Sequence, residues 1–168
     1  MRDVGREMMQ YTEQQLRHID ALIAEQFFGW AWATARGTGT CVLMPPLMYQ
    51  DKTESQVIWK PGKTTRINFI TGRYFDSFHF PEFEHYTTDH NACAELRKRL
   101  REMGKHESFA DRVEMSVCDG LIEYDRNGGA DVDMNEMFKL IDSSPLQQCI
   151  AALRAVGVDV DDELKRLS

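Results

Sequence analysis

Apolar residues recur along this chain at helical spacing in some stretches and as short runs in others. From Glu13 to Phe28, Leu16, Ile19, Leu22, Ile23 and Phe27 fall three or four positions apart, which predicts a helix. Thr12 with Gln15 has the spacing of a capping box, and Gly29 is a natural C-terminal stop. Residues 1–11 read as a poorly anchored extension, leaving 12–168 as a single α+β domain.

Beyond Gly29 the pattern shortens. Trp30 to Ala35 reads as a strand, Arg36 to Thr40 as a glycine-rich turn, and Cys41 to Met44 as an apolar run ending at Pro45-Pro46. Gln56 to Trp59 and Arg66 to Ile70 are further strands around the Pro61-Gly62 turn. A second helix is predicted to begin near Thr87 or Thr88, with Ala92, Cys93, Leu96, Leu100 and Met103 as its buried stripe and Gly104 as its end. Arg112 to Cys118 and Leu121 to Tyr124 read as strands joined at Asp119-Gly120. Met134 to Ile141 reads as a short helix. Ser144 with Gln147 is a second capping box, with Pro145 at the first helical position. Leu146, Cys149, Ile150 and Leu153 line that helix before Gly157, and Asp161 to Leu167 adds a terminal turn. Strands grouped between helices predict an antiparallel sheet covered by helices rather than a doubly wound parallel fold.

Composition narrows this little. The chain has 168 residues, 42% apolar and 28% charged, which is ordinary globular usage and argues against wholesale disorder. No apolar run is long enough to span a membrane, and the N-terminus lacks the apolar stretch of a secretory signal. A cytoplasmic location is therefore expected. The net charge of −7 repels phosphate backbones and disfavours general DNA binding. Cys41, Cys93, Cys118 and Cys149 form no CxxC pair. Cys93 and Cys149 sit on apolar helix faces, so buried free thiols are expected.

Several strings resemble a known family. Ile19-Asp20-Ala21-Leu22-Ile23-Ala24-Glu25 followed by Phe28-Gly29-Trp30 resembles the opening of the phage ABA sandwich domain, as does Pro45-Pro46 after a short strand. Phe83-Glu84-His85-Tyr86-Thr87-Thr88-Asp89 running into Ala92 to Leu100 is similar to its central motif, and Ser144-Pro145 through Ala155 to its closing helix. The likeness spans residues from about 19 to 157 and is weakest from Lys105 to Ser143. It implies an ABA sandwich-like fold and a phage or prophage origin, but no defined activity.

Three segments carry candidate chemistry. From Gln56 to Tyr74 stand four bases, Lys60, Lys63, Arg66 and Arg73, and no acid. With Trp59 they form a candidate ligand surface, since arginine forks grip phosphate and aromatic faces stack on bases. Arg97, Lys98, Arg99 and Arg101 add positive charge on the second helix. The alternative is solvated strand edges and a solvated helix face. Second, Asp125 to Glu136 resembles a calcium-binding EF-hand loop, with Asp125, Asn127, Asp131, Asp133 and Glu136 at ligand-like offsets. Gly129 and Ala130 depart from that pattern, and the alternative is a hairpin followed by a capped helix. Third, His79, Glu82, Glu84, His85, Asp89 and His90 have the side chains for metal binding or acid–base work. They match no zinc spacing, and the alternative is a polar loop entering a helix cap.

No GxSxG, P-loop or dinucleotide-binding glycine pattern occurs, which leans against an enzyme. The first expectation is a non-enzymatic phage or prophage accessory protein that binds a small anion, such as a nucleotide signal of host defence, as a homo-oligomer without a cofactor. The alternatives are an interaction module acting on a host protein through an exposed apolar patch, and a metal-dependent hydrolase or calcium-binding protein.

Overall fold

A computed structural model describes residues 11–35, 40–46, 66–67, 74–75, 78–79, 83–118, 122–124 and 126–165. Among the described residues six helices dominate: α1 (Glu13–Phe28), α2 (His90–Glu102), α3 (His106–Val117), α4 (Met134–Ile141), α5 (Pro145–Ala155) and α6 (Val160–Lys165). The strands are β1 (Ala31–Ala35), β2 (Thr40–Met44), β3 (Arg66–Ile67), β4 (Tyr74–Phe75), β5 (Phe78–His79), β6 (Ile122–Tyr124) and β7 (Ala130–Val132).

The expected antiparallel sheet covered by helices is not what the chain builds; it is mostly helical. The described strands pair in three separate small groups. β1 and β2 form an antiparallel hairpin with Ala33 opposite Val42, and β2 meets β3 in parallel at two residues. β4 pairs with β5, and β6 with β7. The physical reason lies in what fills the interior. Among the strand side chains that are described, Trp32 and Leu43 belong to the buried apolar cluster. The rest comes from helices and from the segment that carries Phe83 and Tyr86. A core made of helix faces needs no central sheet to cover it.

α1 is the axis of that core. Every residue from His18 to Ala24 is buried, so the helix is enclosed on all sides rather than along one stripe. It packs against α2, α5 and α6. Thr12 accepts from the Gln15 N–H while Gln15 Oε1 accepts from the Thr12 N–H, the predicted capping box. Gly29 closes the helix at φ +71°, a left-handed conformation that other residues adopt only with strain. Trp30 then stands edge-on to Phe83, and Phe28 stacks on Tyr86 at 5.2 Å. The end of α1 is thereby fixed to the segment that leads into α2.

One predicted strand is a helix. Arg112 to Cys118 alternates apolar and polar residues, which suits a strand, yet His106–Val117 forms α3. Phe109 and Val113, four positions apart, supply the inward face against α5, while Met115 points out, 73% exposed. The helical spacing wins because Gly104, at φ +66°, turns the chain sharply and α3 starts two residues later. The second predicted helix begins at His90 with Asp89 as its cap, slightly after the expected threonines.

α5 keeps both of its predicted start signals. Ser144 Oγ accepts from the Gln147 N–H at 3.2 Å, and Gln147 Oε1 accepts from the Ser144 N–H at 2.8 Å. Ser144→Ala removes one acceptor while Pro145 still presets the first turn. The chain should lose about 1 kcal/mol, read as a lowered urea midpoint at unchanged slope.

Candidate protein interface

α4 is held at the periphery by local devices. The Asp133 carboxylate accepts from the Asn135 and Glu136 N–H groups at 2.8 and 3.3 Å, closing the first turn. The β6–β7 hairpin delivers the chain to this cap, and Gly128 at φ +81° allows its tight loop. Cys118, just past α3, donates its thiol to the Glu136 carbonyl at 3.4 Å. Glu136 itself is buried, and its carboxylate pairs with Lys139 at 2.6 Å. α4 contributes no side chain to the main buried cluster.

Its other face is apolar and faces solvent. Met134, Phe138 and Ile141 stand at i, i+4 and i+7, a single stripe on a 3.6-residue helix. They are 61%, 58% and 66% exposed. Val132, just before the cap, and Met115, one turn before Cys118, are large exposed apolar residues as well. Isolated exposed apolar side chains are ordinary on a protein surface; three in line on one short helix are a patch. Three anchors at this spacing are how a helix enters the apolar groove of another protein.

The acidic loop is the hairpin and capped helix that this patch stands on. Asp131 lies in β7 opposite Glu123, Asp133 is committed to the helix cap, and Glu136 to Lys139. Asn127 sits in the hairpin loop, and Asp125 lies outside the described residues. Among the described residues, no three acidic, histidine or cysteine side chains converge as a metal site would require.

The basic segment is scarcely described. Trp59, Lys60, Lys63 and Arg73 lie outside the described residues, and Arg66 is placed only as backbone in β3. On α2 the arginines divide by role. Arg97 donates to Gln148 Oε1 at 2.6 Å, and Arg99 donates through Nε to the Phe27 carbonyl at 2.9 Å, covering the open end of α1. Lys98 and Arg101 remain at the surface. Phe27, Phe28, Lys98 and Arg99 border a shallow cleft of about 380 Å³ that also carries Glu95 and Glu102, so its charge is mixed.

In the histidine-rich segment, only its second half is described in side-chain detail. Asp89 caps α2 by accepting from the Asn91 N–H at 2.7 Å. His85 Nδ1 is 3.1 Å from Arg17 Nη1, and the Phe83 and Glu84 carbonyls accept from the same guanidinium. His90 is the first residue of α2. The side chain of His79 and all of Glu82 lie outside the described residues.

The sequence reading missed what binds that segment to α1. Asp20 is 1% exposed, accepts from the Thr87 N–H at 2.7 Å, and pairs with Arg17 at 2.9 Å. The Arg17 guanidinium also lies over the Phe83 ring at 4.1 Å. Burial raises the Asp20 carboxyl above its usual value, against the lowering effects of the Thr87 N–H and Arg17. The available sequence signal was a charged pair at i, i+3, with Asp20 standing among the apolar residues Ile19, Ala21, Leu22 and Ile23.

The fold and this surface define a small, mostly helical protein with an amphipathic helix whose apolar stripe is exposed among the described residues. No protein family, curated protein or solved structure matches the chain. No helix among the described residues is long and apolar enough to cross a membrane.

Proposed function

We propose that this chain is an interaction module that inserts the Met134–Phe138–Ile141 face of α4 into an apolar groove on another protein. The observation behind this reading is the stripe itself, three large apolar side chains left in water on a helix with separate capping and packing of its own. Burying one such side chain contributes about 1.5–3 kcal/mol, enough for a few anchors to dominate an interface.

Charge selects the partner. Between Ala130 and Ser143 stand four acids and one base, and the base, Lys139, is taken by Glu136. Asp131, Asp133 and Asp142 therefore rim the stripe with net negative charge. A groove edged by lysine or arginine complements that rim. A second copy of this chain would set acid against acid, which favours a different protein over self-association.

Phe138 replaced by a photoreactive benzoylphenylalanine, in cells that natively make the chain, should trap one protein. That protein, purified, should bind the unmodified chain with an affinity that weakens as salt is raised. Phe138→Asp should cost at least about 100-fold in that affinity, with the thermal midpoint unchanged. A crosslink to a second copy or within one chain, or binding indifferent to Phe138→Asp, would sink the proposal.

A further inference from the structure

Two cysteines far apart in sequence lie buried on two helices, α2 and α5, that pack together. Cys93 lies in the first turn of α2 and Cys149 in the first half of α5, and both are fully buried. The Cys93 thiol donates to Gln148 Oε1 at 3.3 Å, and Gln148 is the chain neighbour of Cys149. Arg97 Nη1 binds the same Gln148 oxygen at 2.6 Å and lies 3.7 Å from Cys93 Sγ. Gln148 is fixed in turn, donating through Nε2 to the Ser143 carbonyl and hydroxyl at 3.0 and 3.1 Å. A buried thiol that only fills space needs neither a guanidinium nor a positioned amide. This one has both, and a second thiol beside it.

We propose that Cys93 and Cys149 form a peroxide-oxidisable dithiol that closes into a disulfide joining α2 to α5. The two sulfurs differ in kind. A hydrogen bond from the Cys149 thiol, with Arg97 beside it, holds the Cys93 thiol below its ordinary value, although burial opposes this. Burial pushes the Cys149 thiol up, as does its place beside Cys93. The N-terminal turn of α2 adds positive potential at Cys93. Cys93 is accordingly the attacking sulfur and Cys149 the resolving one.

The chemistry balances with hydrogen peroxide as the oxidant. The Cys93 thiolate attacks one peroxide oxygen, an S–O bond forms, the O–O bond breaks, and the departing hydroxide takes up the thiol proton as water. The Cys149 sulfur gives up its proton and attacks the sulfenic sulfur; the S–S bond forms, the S–O bond breaks, and a second water leaves. Two thiols thus supply two electrons to one peroxide. Both sulfurs are buried, so peroxide would enter by a local opening of the first turn of α2, where a helix end opens more easily than its middle.

The full chain is treated with hydrogen peroxide without denaturant, quenched, then unfolded and alkylated. Intact mass before alkylation should fall by about 2 Da, and two of the four cysteines should resist alkylation. Peptide mapping should link Cys93 to Cys149, and dithiothreitol should reverse it. In Cys149→Ser, dimedone should trap a sulfenic acid at Cys93; in Cys93→Ser, Cys149 should stay reduced. Linkage of any other pair, or no dimedone adduct at Cys93 in Cys149→Ser, overturns the proposal. So does an oxidation rate that rises in step with the unfolded fraction in Ser144→Ala, because the reaction would then belong to the unfolded chain.

Discussion

Phe83→Ala should lower stability by about 3–5 kcal/mol, while Phe138→Ala should change it by less than about 0.5 kcal/mol. Both substitutions remove the same ring. Phe83 is 1% exposed, stands edge-on to Trp30, and carries the Arg17 guanidinium over its face. Its loss leaves a cavity where α1 meets the segment entering α2, and strips a cation–π partner from an arginine that is itself mostly buried. Phe138 is 58% exposed and outside the buried cluster, so truncation there removes surface already in water. Urea unfolding of the two variants beside the unmodified chain gives the comparison. A loss at Phe138 as large as that at Phe83 would mean that the α4 stripe belongs to the core, and would remove the basis for an interface.

The Asp20 clamp should give the second large effect. Asp20→Ala leaves the buried Thr87 N–H without its acceptor and takes the Asp20 ion-pair partner from Arg17, whose contacts with the Phe83 and Glu84 carbonyls and His85 remain. Removing one member of a buried pair costs about 3 kcal/mol or more. The pH dependence separates the components. Burial places the folded-state pKa of Asp20 above 3.8, its ordinary value. Above 3.8 the folded chain therefore holds this proton more readily than the unfolded chain does. The stability contributed by the group is fully present below 3.8 and is lost as pH rises through the folded value. Asp20→Asn keeps an oxygen acceptor for Thr87 and cannot ionise. Measured against the unmodified chain by urea midpoints at a series of pH values, it should gain relative stability as the pH rises from 3.8. A relative loss over that range would show that pairing with Arg17 outweighs the cost of burying the charge.

Local signals in the sequence had a short reach and were dependable within it. Thr12 with Gln15 and Ser144 with Gln147 marked two helix starts, and both reciprocal caps form. Gly29, Gly104 and Gly157 marked chain reversals, and all three have positive φ. Each of these depends on residues within one turn of each other, so a linear reading suffices. The period-two reading of Arg112 to Cys118 failed because it began too late: Phe109, three residues before that window, and Val113 within it have helical spacing. Only the surface available on α5 decides between strand and helix.

The same limit governs the sites. A stripe at 134, 138 and 141 is visible in the sequence as one face of a helix, but periodicity says only that the three side chains point together. Whether they point inward depends on what α3 and the hairpin leave uncovered. Likewise Asp20 reads as a polar interruption and Cys93 and Cys149 as separate core thiols, because Thr87 and Gln148 reach them only once α1, α2 and α5 have packed. The sequence by itself determined the starts of α1 and α5 and the glycine stops, since capping and glycine turns are settled within a few residues; the start of α3 was not among them. The tertiary structure alone decided which faces meet, replacing an expected sheet with a helical core. Burial is a property of neighbours brought together from across the chain.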